Sequence, residues 1–276
     1  EPAFIEARET NWEPGSVYLN ELAGASSVSQ INAPGCTGGD DRYLNRSEGH
    51  GAVVHLAAGL RDAHQLRLTD RTPLGTDLDF VRSDLGHDES TDQLVTGVDA
   101  IIHQAHLPAE GDDPTTWLDV NTRCTYNLLT AAAEAGVERV IYLSTLDLFL
   151  PYDEDMAVSE QWRPLPTCEP DRLGPHLGEF VAREFAHSHA LKVLVLRLGH
   201  VVTAEEASGR EFDPMWIDVR DVVGAVAASI EQELRPFRVV HLQHQSERAR
   251  FGSGSHRHHH HHSFSYTPQF NFEEHV

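Results

Sequence analysis

The sequence predicts an α/β protein built on a doubly wound parallel sheet. Short apolar runs bounded by turn residues, QLRLTD, VDAIIHQAH, RVIYLST and KVLVLRLG, alternate with stretches of helical period. KVLVLRLG is apolar on both faces, as a strand covered by helices on each side must be. The 276 residues are enough for one such unit with a sizeable core.

Residues 1–48 are rich in Gly, Ser, Asn and Asp, and there SSVSQIN (Ser26 to Asn32) reads as a strand. AVVHLAAGL then reads as a helix ending near Gly59, and QLRLTD as a buried strand ending at Asp70. A second helix–strand step follows: DFVRSDL gives a short strand ending near Asp84, DQLVTG a short helix, and VDAIIHQAH an apolar strand. Asp113 to Ala135 has the pattern of one long helix stopped by Gly136, a residue suited to the left-handed conformation beyond a helix end. RVIYLST is the next strand. Beyond a Pro-rich, charged loop (Leu150 to Pro170), LGEFVAREFAHSHA is an amphipathic helix and Lys192 to Gly199 a strand. WIDVRDVVGAVAASIEQEL reads as a short strand, an N-cap at Asp221 and a helix, with RVVHLQH as the last strand. The expected organisation is an N-terminal segment over 1–48 that includes the first strand, the main domain over 49–250, a His-rich low-complexity tract over 251–263, and a tail over 264–276.

The formal charge is −22, and Lys192 is the one lysine among 21 basic residues. Such a surface repels a polyanion, so nucleic acid is not an expected partner, and it stays solvated in salt. No apolar run has the length of a membrane span and no leader pattern opens the chain, so a cytoplasmic protein is expected, without a membrane partner. Cys36, Cys124 and Cys168 share no metal-type spacing; reduced thiols are expected, with neither a disulfide framework nor a metal site.

The segments HQAH, DVNTRCTYNLLTAAAEAGVERVIYLST and LRLG, in this order and spacing, resemble the NAD-dependent epimerase/dehydratase family of extended short-chain dehydrogenases. The resemblance runs from about Gly49 to Arg250. It implies a Rossmann-like sheet with NAD across its carboxyl edge and a small C-terminal region on the substrate side. Carried over by position, Gly49 and Gly51 fall near the phosphate loop, Asp70 at the adenosine ribose and Asp84 at the adenine. His103, Gln104 and Ala105 match the segment beneath the pyrophosphate and ribose. Asn121 matches the supporting helix asparagine. Thr145 matches the hydroxyl that hydrogen-bonds the reacting substrate oxygen. His200 falls among the substrate-facing residues after the sixth strand. The family also implies a sugar-type small molecule as substrate and a homodimer formed by the helices at Asp113 to Ala135 and Leu173 to Ala190.

Two parts of the pattern are missing. Hydride transfer from an alcohol needs a base for the hydroxyl proton, and the family uses a tyrosine activated by a lysine four residues later. Position 188 is Ser188, four before Lys192, so no such pair exists; the family alignment puts Asp171 at the tyrosine position and Pro175 at the lysine position. The glycine pattern is also poor, with Tyr43 and Arg46 where glycines belong. Two functions are therefore expected as alternatives. One is hydride transfer on a sugar, a uronic acid or a sugar nucleotide, with Thr145 as oxygen ligand and Asp171 or a water as base. The other is a catalytically silent scaffold that binds a nucleotide or a protein.

Overall fold

The computed structural model describes residues 16–21, 50–70, 76–104, 113–251 and 264–272. Seven strands form one parallel sheet: β1 (Ser16–Glu21), β2 (Gln65–Asp70), β3 (Asp79–Arg82), β4 (Ala100–Gln104), β5 (Arg139–Thr145), β6 (Lys192–Leu198) and β9 (Phe237–Leu242). Their order is β3-β2-β1-β4-β5-β6-β9, with every pair parallel. Because β1 is flanked by β2 and β4, successive crossovers leave it in opposite directions. In sheets of this order that switch marks the part of the carboxyl edge where ligands bind. A separate pair of short strands, β7 (His200–Val202) and β8 (Trp216–Asp218), stands beyond β6 on that side.

Helices cover both faces. Helices α2 (Glu89–Val95), α4 (Thr125–Ala135) and α5 (Pro170–Ser188) pack on one, burying Leu94, Leu128, Val140, Tyr142 and Val195. Helices α1 (His50–Leu60) and α7 (Val219–Glu231) pack on the other, with Leu56, Leu68, Ile102, Ile141 and Val226. The alternation of strand side chains assigns each strand residue to one of these layers.

The first strand is Ser16–Glu21, in a stretch that reads as irregular from its flanking Pro and Gly; the strand expected at Ser26 to Asn32 lies outside the described residues. The helix expected over Asp113 to Ala135 begins as α3 (Pro114–Asp119), capped by the Asp113 side chain, passes through a wider π turn at Val120–Cys124, and continues as α4. It ends at Gly136 with φ 76°, the left-handed stop its sequence requires.

The helix after β8 corrects its expected cap. β8 runs directly into α7, so Asp218, still extended, caps it by accepting from the Arg220 N–H at 2.8 Å. Asp221 lies within the first turn, fully buried, and accepts from Tyr266 Oη and from the backbone N–H groups of Gln269 and Phe270. Asp221 therefore ties residues 264–272 onto α7. That link joins residues far apart in sequence, which no local pattern reveals. α6 (Ala204–Ala207) completes the described helices.

Candidate active site

The alternation within each strand sorts the candidate residues. Leu66, Leu68 and Asp70 share a face of β2, Ala100, Ile102 and Gln104 one of β4, and Ile141, Leu143 and Thr145 one of β5; in each set the apolar members lie in the layer of α1 and α7. Asp70, Gln104 and Thr145 are thus the last residues of three strands and sit on the same side of the sheet's carboxyl edge. Asp70 and Gln104 are buried and Thr145 is half-buried.

The other candidates are spread differently. His103 points to the opposite face, is fully buried, and pairs through Nε2 with Thr125 Oγ1 at 2.9 Å; burial pushes its imidazole down to about 3. It is a neutral core histidine. Asp84 is exposed beyond β3. Gly51 lies in the first turn of α1, while Gly49 and Ala105 fall outside the described residues. Asn121 receives a hydrogen bond from Tyr142 Oη at 3.2 Å and donates to Trp117 O at 2.8 Å, the contacts of a supporting residue.

On α5, Asp171 is exposed in the first turn and Pro175 is buried. Pro175 O accepts from Tyr142 Oη at 3.5 Å, and a side-chain carbon added at Gly178 would collide with that same hydroxyl. The helix is therefore pressed closely onto β5, with proline rather than a cation at this contact. Below it Glu179 forms a buried ion pair with Arg197 (2.9 and 2.7 Å) and accepts from Ser144 Oγ at 2.6 Å, joining α5 to β5 and β6. Arg197 inside an otherwise apolar strand is the sequence signal for this pair.

Beside Thr145 is a group that the sequence offered only in fragments. Thr145 Oγ1 accepts from the Asp147 N–H at 3.1 Å, starting a single 3₁₀ turn (Leu146–Phe149). Asp147 Oδ1 meets His200 Nε2 at 3.0 Å, and His200 Nδ1 meets Asp213 Oδ2 at 2.5 Å. Each ring nitrogen of His200 thus faces a carboxylate oxygen within hydrogen-bond distance. Asp213 is held further by the Met215 N–H at 2.8 Å. Burial works to raise its carboxyl, but the bonds from His200 and Met215 leave it below the usual carboxylate range.

The family model for the NAD dependent epimerase/dehydratase family matches residues 41–218. The chain belongs to that family. It is 26% identical over 180 residues to the L-arabinose 1-dehydrogenase (NAD(P)(+)) of Haloferax volcanii, covering 57% of this chain and 70% of that protein. It is 25% identical over 167 residues to the dTDP-glucose 4,6-dehydratase of Streptomyces niveus, covering 59% of this chain but only 45% of the dehydratase. Among solved structures, the glucuronic acid dehydrogenase of Chromohalobacter salexigens shares the fold, with a TM-score of 0.71, 18% identity, and coverage of 94% of this chain and 86% of that one.

The family's cofactor is NAD, and what is described of the crevice suits it. Asp70 ends β2 with its carboxylate buried at the sheet's carboxyl edge. α1 has no acidic residue in its first turn, and the positive end of such a helix favours an anion. Residues 22–49, between β1 and α1, lie outside the described residues. Among the described residues no helix is long and apolar enough to cross a membrane.

Proposed function

We propose that the protein binds NAD and transfers a hydride from a sugar, a uronic acid or a sugar nucleotide. The observation that carries this is the placing of Asp70, Gln104 and Thr145 at the ends of three strands on one face, so that a cofactor at Asp70 and a substrate oxygen at Thr145 share one crevice. Relatives bearing sugar dehydrogenase and sugar-nucleotide dehydratase names support the substrate class. NAD, when bound, accepts the hydride; Thr145 fixes the alcohol oxygen; Asp70 and Gln104 hold the cofactor's polar groups. Asp84 and Gly51 extend the proposed cofactor contacts, and Asp171, exposed in the first turn of α5, is a candidate base.

A second reading, a silent scaffold for a nucleotide or a protein, is favoured by one observation: α5 presents an exposed aspartate and a buried proline where the family's catalytic pair stands. Calorimetric titration with NAD and NADP, followed by NAD reduction assays on aldoses and uronates, separates the two. Binding of NAD in preference to NADP, with turnover lost in Thr145→Ala, is the expected result. Tight NAD binding with no turnover on any sugar would support the scaffold.

A further inference from the structure

The hydride reading leaves the hydroxyl proton without the family's acceptor. We propose that His200, set between Asp213 and Asp147, is the acid–base group of this site, and that Asp147 passes the proton between His200 Nε2 and the sugar hydroxyl held at Thr145. This role rests on the hydride reading above.

Three features converge on it. The first is position. The β5–β6 register pairs Thr145 with Leu198, and two residues further along each chain Asp147 and His200 meet by their side chains. The group therefore stands next to the proposed oxygen ligand, at the carboxyl edge. Gly199 makes this approach possible, since any side chain there would run into Met215 O, the acceptor of the His200 N–H at 2.8 Å.

The second is a fixed ring. Asp213 receives Nδ1–H and is itself held by the Met215 N–H, so the nitrogen that exchanges a proton is Nε2. An imidazole ordinarily changes charge near neutral pH, the property a general base needs. Among the described residues the charged and titratable neighbours include Asp147 from the 3₁₀ turn, Asp213 from the segment before β8, and then His244, which acts on Asp213, with Arg248 next to His244.

The third is access. The side chains of His200, Asp147 and Asp213 are 22%, 28% and 32% exposed, so a hydroxyl can reach them, whereas His103 and His241 are sealed in the core.

The step balances. The substrate C–H bond breaks and its electron pair leaves as hydride to the nicotinamide. The O–H bond breaks, its proton passes by way of Asp147 to Nε2, and the carbon–oxygen bond becomes a carbonyl. In the base form the ring carries hydrogen on Nδ1 alone; in the acid form Nε2–H returns to Asp147.

The test combines kinetics with imidazole nitrogen resonances on the full chain. His200→Gln should stay folded by melting, lower kcat about 100-fold or more with little change in KM, and remove the limb of the pH profile on which the base ionises. In the cofactor-free wild type, the His200 signals, assigned by their loss in His200→Gln, should move on adding D-glucuronate or L-arabinose. Their titration midpoint should shift in Asp213→Asn. An active wild type whose His200→Gln variant keeps kcat within threefold and the same pH limb overturns the role and leaves the hydride reading standing. A wild type that binds NAD and reduces none of it with any aldose or uronate overturns the hydride reading, and the role with it.

Discussion

Asp147 and His200 touch at 3.0 Å two residues beyond the rung where Thr145 of β5 stands opposite Leu198 of β6. The backbone ladder thus continues as a side-chain contact after both strands have left the sheet. One end of the contact is fixed by the Thr145 turn and the other by Asp213, so proton-exchanging atoms are placed by strand register, which is among the most strongly specified features of a fold with buried faces.

Asp70 is proposed as the ribose acceptor. Asp70→Ser should weaken NAD binding about tenfold, roughly 1.4 kcal/mol, and narrow the preference over NADP, as read by calorimetry. Equal NAD affinity in both proteins would remove Asp70 from the site.

The Glu179–Arg197 pair is buried on both sides, so deleting one charge strands the other. Glu179→Gln should lose about 3–5 kcal/mol in urea unfolding. A loss below about 1 kcal/mol would mean that Arg197 finds another partner.

Gly178 lies against Tyr142 Oη with no room for a methyl group. Gly178→Ala should destabilise by about 1–3 kcal/mol, and Tyr142→Phe in the same chain should recover part of that. Additive losses in the double variant would disprove the contact.

Two buried histidines set a pH dependence. Burial pushes His103 down to about 3, and burial together with the Arg197 charge does the same to His241, against an ordinary 6.5. Between those values the unfolded chain binds more protons than the folded one. Stability that is full above pH 6.5 is therefore lost as pH falls toward 3, by up to about 1.4 kcal/mol per pH unit for each ring. His103→Gln should flatten the acid limb of a stability profile; an unchanged limb would contradict the assignment.

The parallel sheet and its helices were legible because their signals are local: apolar runs, alternation, the Gly136 stop. The places of Thr145 and Asp70 at strand ends were legible for the same reason, whereas the roles proposed for them come from the family resemblance. Asp147 and Asp213 were not. An aspartate in a turn looks the same whether it faces water or an imidazole 53 residues away, and only the β5–β6 register joins them. The Asp221 cap was misread because the partners that Asp221 holds lie at residues 266–270.

The net charge of −22 carries a further expectation, that added potassium chloride raises the melting temperature by screening self-repulsion. A melting temperature indifferent to salt would count against a surface adapted to it.

Phe251 and Phe264 are both buried, one beside Phe149 and the other in the layer of α1 and α7, and the His-rich tract joins them. A segment pinned at both ends can change length at little thermodynamic expense, because the entropy of closing it grows only with the logarithm of its length, about 0.6 kcal/mol per doubling. What returns the tail to α7 is therefore the burial of Phe264 and the bonds to Asp221, and losing either would release it whatever the length of chain before them.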